Sequence, residues 1–279
     1  MKKLFWGLIG AIILVGGYWG YNYYLETQIN EINATISETT TAAGETPFTA
    51  YDATQFTGTH EWLGKPVKIV YESQLLGSSN NYGIAPNEQN VKKVLAGLRG
   101  TERVILDAGS WVIFKDNKID PNAANHAQWY LTVVQWAREL VPGTDIGFLS
   151  LPFSPWSALA DPTQSSAEYD KAVAVVWKVM QLSDSLYPML DIPDNDIERM
   201  KAVAAAYHSI AINVNKPYYP VLWHKGSGGK FKGILLPDAL IKWSCNVVRN
   251  NASGVVWWSG AGETWDGGVW YPAAAECFS

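Results

Sequence analysis

From residue 66 onward, short apolar runs alternate with longer amphipathic stretches, and this alternation limits the chain to a few architectures. Val67–Tyr71, Arg103–Asp107, Asp145–Leu149, Ser185–Leu190, Tyr218–Trp223 and Gly254–Trp258 read as strands. Between them, helical spacing is expected over Asn90–Leu98, Asn122–Leu140 and Ser165–Leu182. Two further helices are expected, one from an Asp194 N-cap to about Val214 and one from Pro237, at its first position, to Asn250. The turn before Ser165 is marked by Asp161-Pro162, and Pro142-Gly143 stops the helix before it. Six strands interleaved with five helices imply βαβ units and a parallel sheet. That sheet is either open and doubly wound or closed into a barrel.

An open nucleotide-binding sheet carries a glycine-rich phosphate turn after its first strand. Here the first strand is followed by Glu72-Ser-Gln-Leu-Leu-Gly-Ser-Ser-Asn-Asn-Tyr-Gly83, which lacks that pattern. Gly226-Ser-Gly-Gly-Lys230 is not a P-loop either. Its first glycine would fall on His224, and Phe231 replaces the Ser or Thr. A polar loop is the better reading.

The N-terminus bears on compartment. Lys2 and Lys3 precede an uncharged run from Leu4 to Leu25, long enough as a helix to reach about 33 Å and cross a bilayer core. Tyr18, Trp19, Tyr21, Tyr23 and Tyr24 form an aromatic belt at its far end. Residues 1–26 are therefore expected to be an uncleaved signal anchor, with the remainder periplasmic or extracellular. Cleavage after Gly17, giving a secreted protein, is the rival. Residues 27–60, including Ser37-Glu-Thr-Thr-Thr-Ala-Ala-Gly-Glu-Thr46, lack core-forming groups and read as a Thr-rich flexible stalk. Residues 61–279 are left for one domain. The net charge of −5 over the whole chain argues against a nucleic-acid surface. In an exported chain, Cys245 and Cys277 are expected to pair, although two separate thiols remain the alternative. Asn33-Ala-Thr35 and Asn251-Ala-Ser253 match glycosylation triplets, which are common by chance.

In a barrel, functional side chains stand at the C-terminal ends of the strands. Those ends carry Glu72, Asp107, Trp111, Ser150, Tyr187, Asp191, Trp223, His224 and Trp258, with Glu263 a few residues beyond the last strand. Carboxylates with flat aromatic faces suit glycoside hydrolysis, in which two carboxyl groups flank the bond. Glu72 and Asp107 end successive strands and could be neighbours. The plain alternative for each carboxylate, as for Asp184, is a helix cap or a surface ion pair. The 14 tryptophans are core or a sugar-binding pavement. His60, His126, His208 and His224 show no metal-binding spacing, no cofactor motif is present, and there is no G-x-S-x-G elbow. His208 reads as structural, while His224 could line a pocket.

Several runs, taken in order, resemble the barrel of hyaluronidase-like glycoside hydrolases. They are Val104-Ile-Leu-Asp-Ala-Gly-Ser-Trp111, Val141-Pro-Gly-Thr-Asp-Ile-Gly-Phe-Leu-Ser-Leu-Pro152, Asp184-Ser-Leu-Tyr-Pro-Met-Leu190, Tyr219-Pro-Val-Leu-Trp223 and Gly254-Val-Val-Trp-Trp258. The resemblance covers roughly residues 66–260. It implies a TIM-type (β/α) barrel of seven or eight strands, distorted, and a glycan or polysaccharide ligand. In that family the second strand ends in Asp-x-Glu. The Glu is the general acid, the Asp positions the reacting group, and the substrate's N-acetyl group assists. Asp107 matches the Asp, whereas Gly109 stands where the Glu would be.

A glycine cannot donate a proton, so a contribution of ~10²–10⁴-fold is missing from that position. Three readings follow. Another carboxylate, Glu72 or Glu263, takes the role; Asp107 is itself the acid; or the barrel binds glycan, or scaffolds a surface assembly, without cutting. The expected site is Asp107 and Glu72 as catalytic groups, with Trp111, Tyr187, Trp223, His224, Trp258 and Glu263 binding the sugar. The expected partners are a glycan and, through the N-terminal helix, a membrane.

Overall fold

The computed structural model describes residues 48–56, 64–77, 83–115, 118–151, 167–190, 197–226, 233–236, 238–260, 263–265 and 268–276. The apolar segment 4–25, the stalk up to residue 47, Asp161-Pro162, Asp191, Asp194, Pro237, Cys277 and most of the 226–230 loop lie outside these. Among the described residues, no helix is long and apolar enough to cross a membrane.

The strands are β1 (Thr49–Ala53), β2 (Lys65–Pro66), β3 (Lys68–Val70), β4 (Arg103–Leu106), β5 (Phe114–Lys115), β6 (Lys118–Ile119), β7 (Asp145–Phe148), β8 (Val221–Trp223) and β9 (Gly254–Trp258). The helices are α1 (Glu72–Leu76), α2 (Glu88–Ala96), α3 (Ala123–Leu140), α4 (Ala167–Leu182), α5 (Ile197–Val214), α6 (Asp238–Asn251) and α7 (Tyr271–Ala275).

The parallel pairings return on themselves. β3 pairs with β4, and β4 with β7. Bridges Leu149↔Tyr187, Leu186↔Tyr218 and Met189↔Val221 carry the sheet across residues 186–189 to β8. β8 pairs with β9, β9 with β1, and β1 with β2. Val67, which links β2 to β3 along the chain, donates its N–H to the Asp52 carbonyl of β1 at 2.9 Å. Counting β2–β3 as one stave and 186–189 as another, the described residues form a closed α/β barrel of seven parallel staves. Residues 185–190 make single bridges rather than a ladder because Pro188 offers no N–H.

β1 corrects the expected domain boundary. Thr49–Ala53 fell within the expected stalk, yet it is paired on both sides, so the barrel begins near Phe48. The run looks polar because it contains Asp52. That carboxylate is buried and accepts from the Thr54 N–H at 2.8 Å and the Thr54 hydroxyl at 2.5 Å.

Strand periodicity sorts side chains into two cores. Ile69, Ile105, Leu149, Tyr187, Tyr219, Val221 and Val256 fill the barrel, while Val70, Val104, Leu106, Leu222 and Trp257 face the helices. The Val-Ile-Leu run of β4 is buried on both faces, as a covered parallel strand requires. On α3, Ala127, Tyr130, Val134 and Ala137 recur at helical spacing on the buried side. α2 is capped by Asn87, whose side-chain oxygen accepts from the Asn90 N–H at 2.9 Å.

The N-terminal end of the barrel is closed by a polar plug. The Arg103 guanidinium lies 4.1 Å from the ring centroids of both Tyr51 and Tyr219. Asp145 Oδ2 pairs with it at 2.7 Å. Asp145 also accepts from the Ser185 hydroxyl at 2.7 Å and the Tyr187 hydroxyl at 3.0 Å. Gly147 makes room for this: a Cβ there would lie 2.7 Å from the Tyr187 ring and 2.1 Å from the Ser185 carbonyl oxygen.

Candidate functional site

At the opposite end, inward alternation brings Tyr71, Asp107, Trp223 and Trp258 to the mouth. Each lies two residues beyond an interior residue: Ile69, Ile105, Val221 and Val256. The Trp223 and Trp258 rings meet edge to face with centroids 5.3 Å apart. Trp223 Nε1 is buried and donates to no acceptor among the described residues. The Tyr71 hydroxyl lies among Trp258, Gln55 and Asp107, and burial together with the Asp107 charge raises its pKa.

Asp107 extends the β3–β4 pairing, its N–H donating to the Val70 carbonyl at 2.8 Å. Burial, then the Glu72 charge, push its carboxyl up to about 6, against a smaller opposing pull from the Gly109 N–H. It therefore holds its proton to a higher pH than an ordinary aspartate does.

Glu72 is adjacent, as the strand order led us to expect, but it is already engaged. It opens α1 rather than ending a strand, and it is buried. Its Oε2 accepts from the Ser110 N–H at 2.9 Å, and its Oε1 accepts from the Ser110 hydroxyl and from the Gly83 N–H at 3.4 Å. The turn it grips is fixed from behind by Tyr130, whose hydroxyl donates to the Ala108 carbonyl at 3.0 Å. Gly109 sits on the open side of this turn. A Cβ there would meet only Asp107 Oδ1, at an ordinary 3.5 Å.

Four expected sugar contacts are engaged with other parts of the protein. Trp111 is fully buried against Trp129 and Tyr130, with its indole N–H on the Ile84 carbonyl at 3.2 Å. Tyr187 is fully buried, with its hydroxyl in the basal plug. His224 alternates outward and stacks on Trp270 with centroids 4.5 Å apart. Glu263 holds His224 Nε2 at 3.3 Å and Lys225 Nζ at 2.5 Å, and also accepts from the Gly260 N–H at 2.9 Å. These contacts draw its carboxyl below the usual carboxylate range, against an opposing effect of burial. Asp184 takes the plain role of an ion pair with Arg138. The Ser150 N–H bonds the Tyr187 carbonyl at 2.8 Å, with Ser150 itself left-handed at φ 66°.

Tyr71, Ser110 and Tyr130 were not singled out from the sequence. Tyr71 was within reach, since it stands two positions after Ile69 at a strand end. Ser110 and Tyr130 act through a loop and a neighbouring helix, and nothing local signals them. Among the described residues, no three His, Cys, Asp or Glu side chains group as a metal site would need. Cys245 is buried and disulfide-bonded, while Cys277 lies outside the described residues.

No family model matches the chain, and no curated protein matches it. Solved structures do. The crystal structure of bee venom hyaluronidase in its monoclinic form superposes with a TM-score of 0.57 at 13% identity, covering 83% of this chain and 96% of that one. Bee venom hyaluronidase in complex with a hyaluronic acid tetramer gives 0.55 at 12% identity, covering 83% and 95%. At such identity the likeness establishes the fold, which is the hyaluronidase-like TIM-type barrel.

Proposed function

We propose that this chain is a glycoside-hydrolase-like protein that engages a polysaccharide or other glycan at the barrel mouth, carried outside the cytoplasm on its N-terminal anchor. The observation that carries the reading is the grouping of Asp107, its pKa raised, with Tyr71, Trp223 and Trp258 at the C-terminal end of a hyaluronidase-like barrel. The solved neighbour that holds a hyaluronic acid tetramer supports a sugar ligand. Flat rings suit sugar faces, and a carboxyl suits a hydroxyl or amide of the sugar.

Of the two forms this function can take, binding without cleavage is favoured. Gly109 offers no acid, and both oxygens of Glu72 are occupied. Hydrolysis remains a second reading on one observation: a carboxyl raised to about 6 is suited to donate a proton. The test is to incubate the full chain with N-acetylated and neutral polysaccharides and follow both reducing ends and tryptophan fluorescence. A fluorescence change without new reducing ends supports binding alone. Release abolished by Asp107→Asn supports hydrolysis. Neither signal on any polysaccharide refutes the glycan reading.

A further inference from the structure

The role of Glu72 can be carried further than a second site carboxylate. We propose that Glu72 is a positioning residue, which holds the Asp107–Ser110 turn in place and acts on the ligand only through Asp107. The inference rests on the reading that Asp107 serves the ligand.

Glu72 is 5% exposed, so a ligand entering the mouth does not reach it. Its two oxygens take three donors from two separate segments: the N–H and hydroxyl of Ser110, and the N–H of Gly83. The Gly83 N–H also donates to the Ser110 hydroxyl oxygen at 2.6 Å, so residues 72, 83 and 110 form a closed knot. The turn held by this knot is the one that bears Asp107. It has no regular secondary structure of its own; it is tethered also by the Asp107 N–H on the Val70 carbonyl and by Tyr130 on the Ala108 carbonyl. Among the described residues no basic group pairs with Glu72, and a buried carboxylate of that kind is costly unless donors surround it. Here two of the three donors are those of the turn, so the charge and the turn conformation support each other.

The groups facing Asp107 are Glu72 from α1, Tyr71 from the end of β3, Tyr130 from α3 and the Gly109 N–H. Glu72 is the one acid named among them, so its charge is what a substitution can remove.

The experiment uses the full chain in detergent, labelled at aspartate carboxyl carbons, with Asp107→Asn to assign the resonance. Glu72→Gln keeps the side-chain shape and removes the charge and one acceptor. Two results are expected. Asp107 titrates below its wild-type midpoint but, being buried, still above the ordinary aspartate value, and the Ser110 amide exchanges roughly tenfold faster or more, as befits the loss of a charge-assisted bond. An unchanged midpoint, or unchanged Ser110 exchange, overturns the proposal. Should Glu72→Gln not fold, Glu72→Asp is read instead. Its shorter arm is expected to speed Ser110 exchange while Asp107 still titrates near its wild-type midpoint, and unchanged exchange again overturns the idea. Neither readout uses a glycan, so failure here is distinct from failure of the glycan reading.

Discussion

Arg103 and Asp145 face each other across the first rung of the β4–β7 pair, and their side chains meet at 2.7 Å in the base of the barrel. The arginine is nearly enclosed, held between two tyrosine rings that supply π faces but no second carboxylate. Asp145→Ala would strand that cation, and its cost is expected to be about 3–5 kcal/mol. Asp145→Asn keeps an acceptor for Ser185 or Tyr187 and is expected to cost less. Urea unfolding of both variants, fitted with a common slope, checks the order.

Asp107 has a stability signature of its own. Its folded pKa lies above the ordinary value of 3.8, at about 6. The penalty is therefore absent well below 3.8, where the group is protonated in both states, grows as pH rises from there to about 6, and is constant above. Asp107→Asn is expected to stabilise the protein on the order of 3 kcal/mol at pH 8 and to be neutral near pH 3.5. Thermal melts across this range test the sign. A variant less stable than wild type at pH 8 would mean that the charged form is favoured.

Gly109→Glu is expected to fold, because the position of its Cβ is open and its backbone is not left-handed. The new carboxyl would stand beside Asp107, whose charge raises its pKa and keeps it a proton donor. If the barrel otherwise retains its chemistry, release of reducing ends from N-acetylated polysaccharide should rise ~10²-fold or more over wild type. No gain in a folded variant would indicate that more than the acid is missing.

Two tryptophans separate binding from folding. Trp258→Ala at the half-buried mouth is expected to weaken glycan-induced fluorescence changes while leaving a cooperative melt. Trp111→Ala removes a fully buried ring and is expected to cost about 3–5 kcal/mol of stability. Circular dichroism melts of the pair establish which ring is structural.

What could be read from residues alone follows a physical line. The Val-Ile-Leu run of β4 and the Val-Val-Trp-Trp run of β9 are driven by burial, which composition records, and the structure has them where they were expected. β1 was missed because its inward face is only Tyr51 and Ala53 and its centre carries the charged Asp52, which Thr54 helps to satisfy. At the mouth, the adjacency of Glu72 and Asp107 was legible from strand order. The occupancy of Glu72 was not, since Ser110 and Gly83 reach it from loops. His224 and Tyr187 show the same limit. The side of a strand on which a residue emerges can be counted along the strand, but for these two the count had to start from an irregular end near proline.

The pairing of β1 with β9 also sets the timing of assembly. Thr49 bonds against Gly254, partners separated by about 200 residues of chain, and such long-range closure is slow. Until the last stave is synthesised, the first has a bare edge and the ring stays open. The ribosome therefore releases almost the whole domain before it can lock. A chain of this kind depends on keeping an unfinished sheet soluble while it waits for its own final strand.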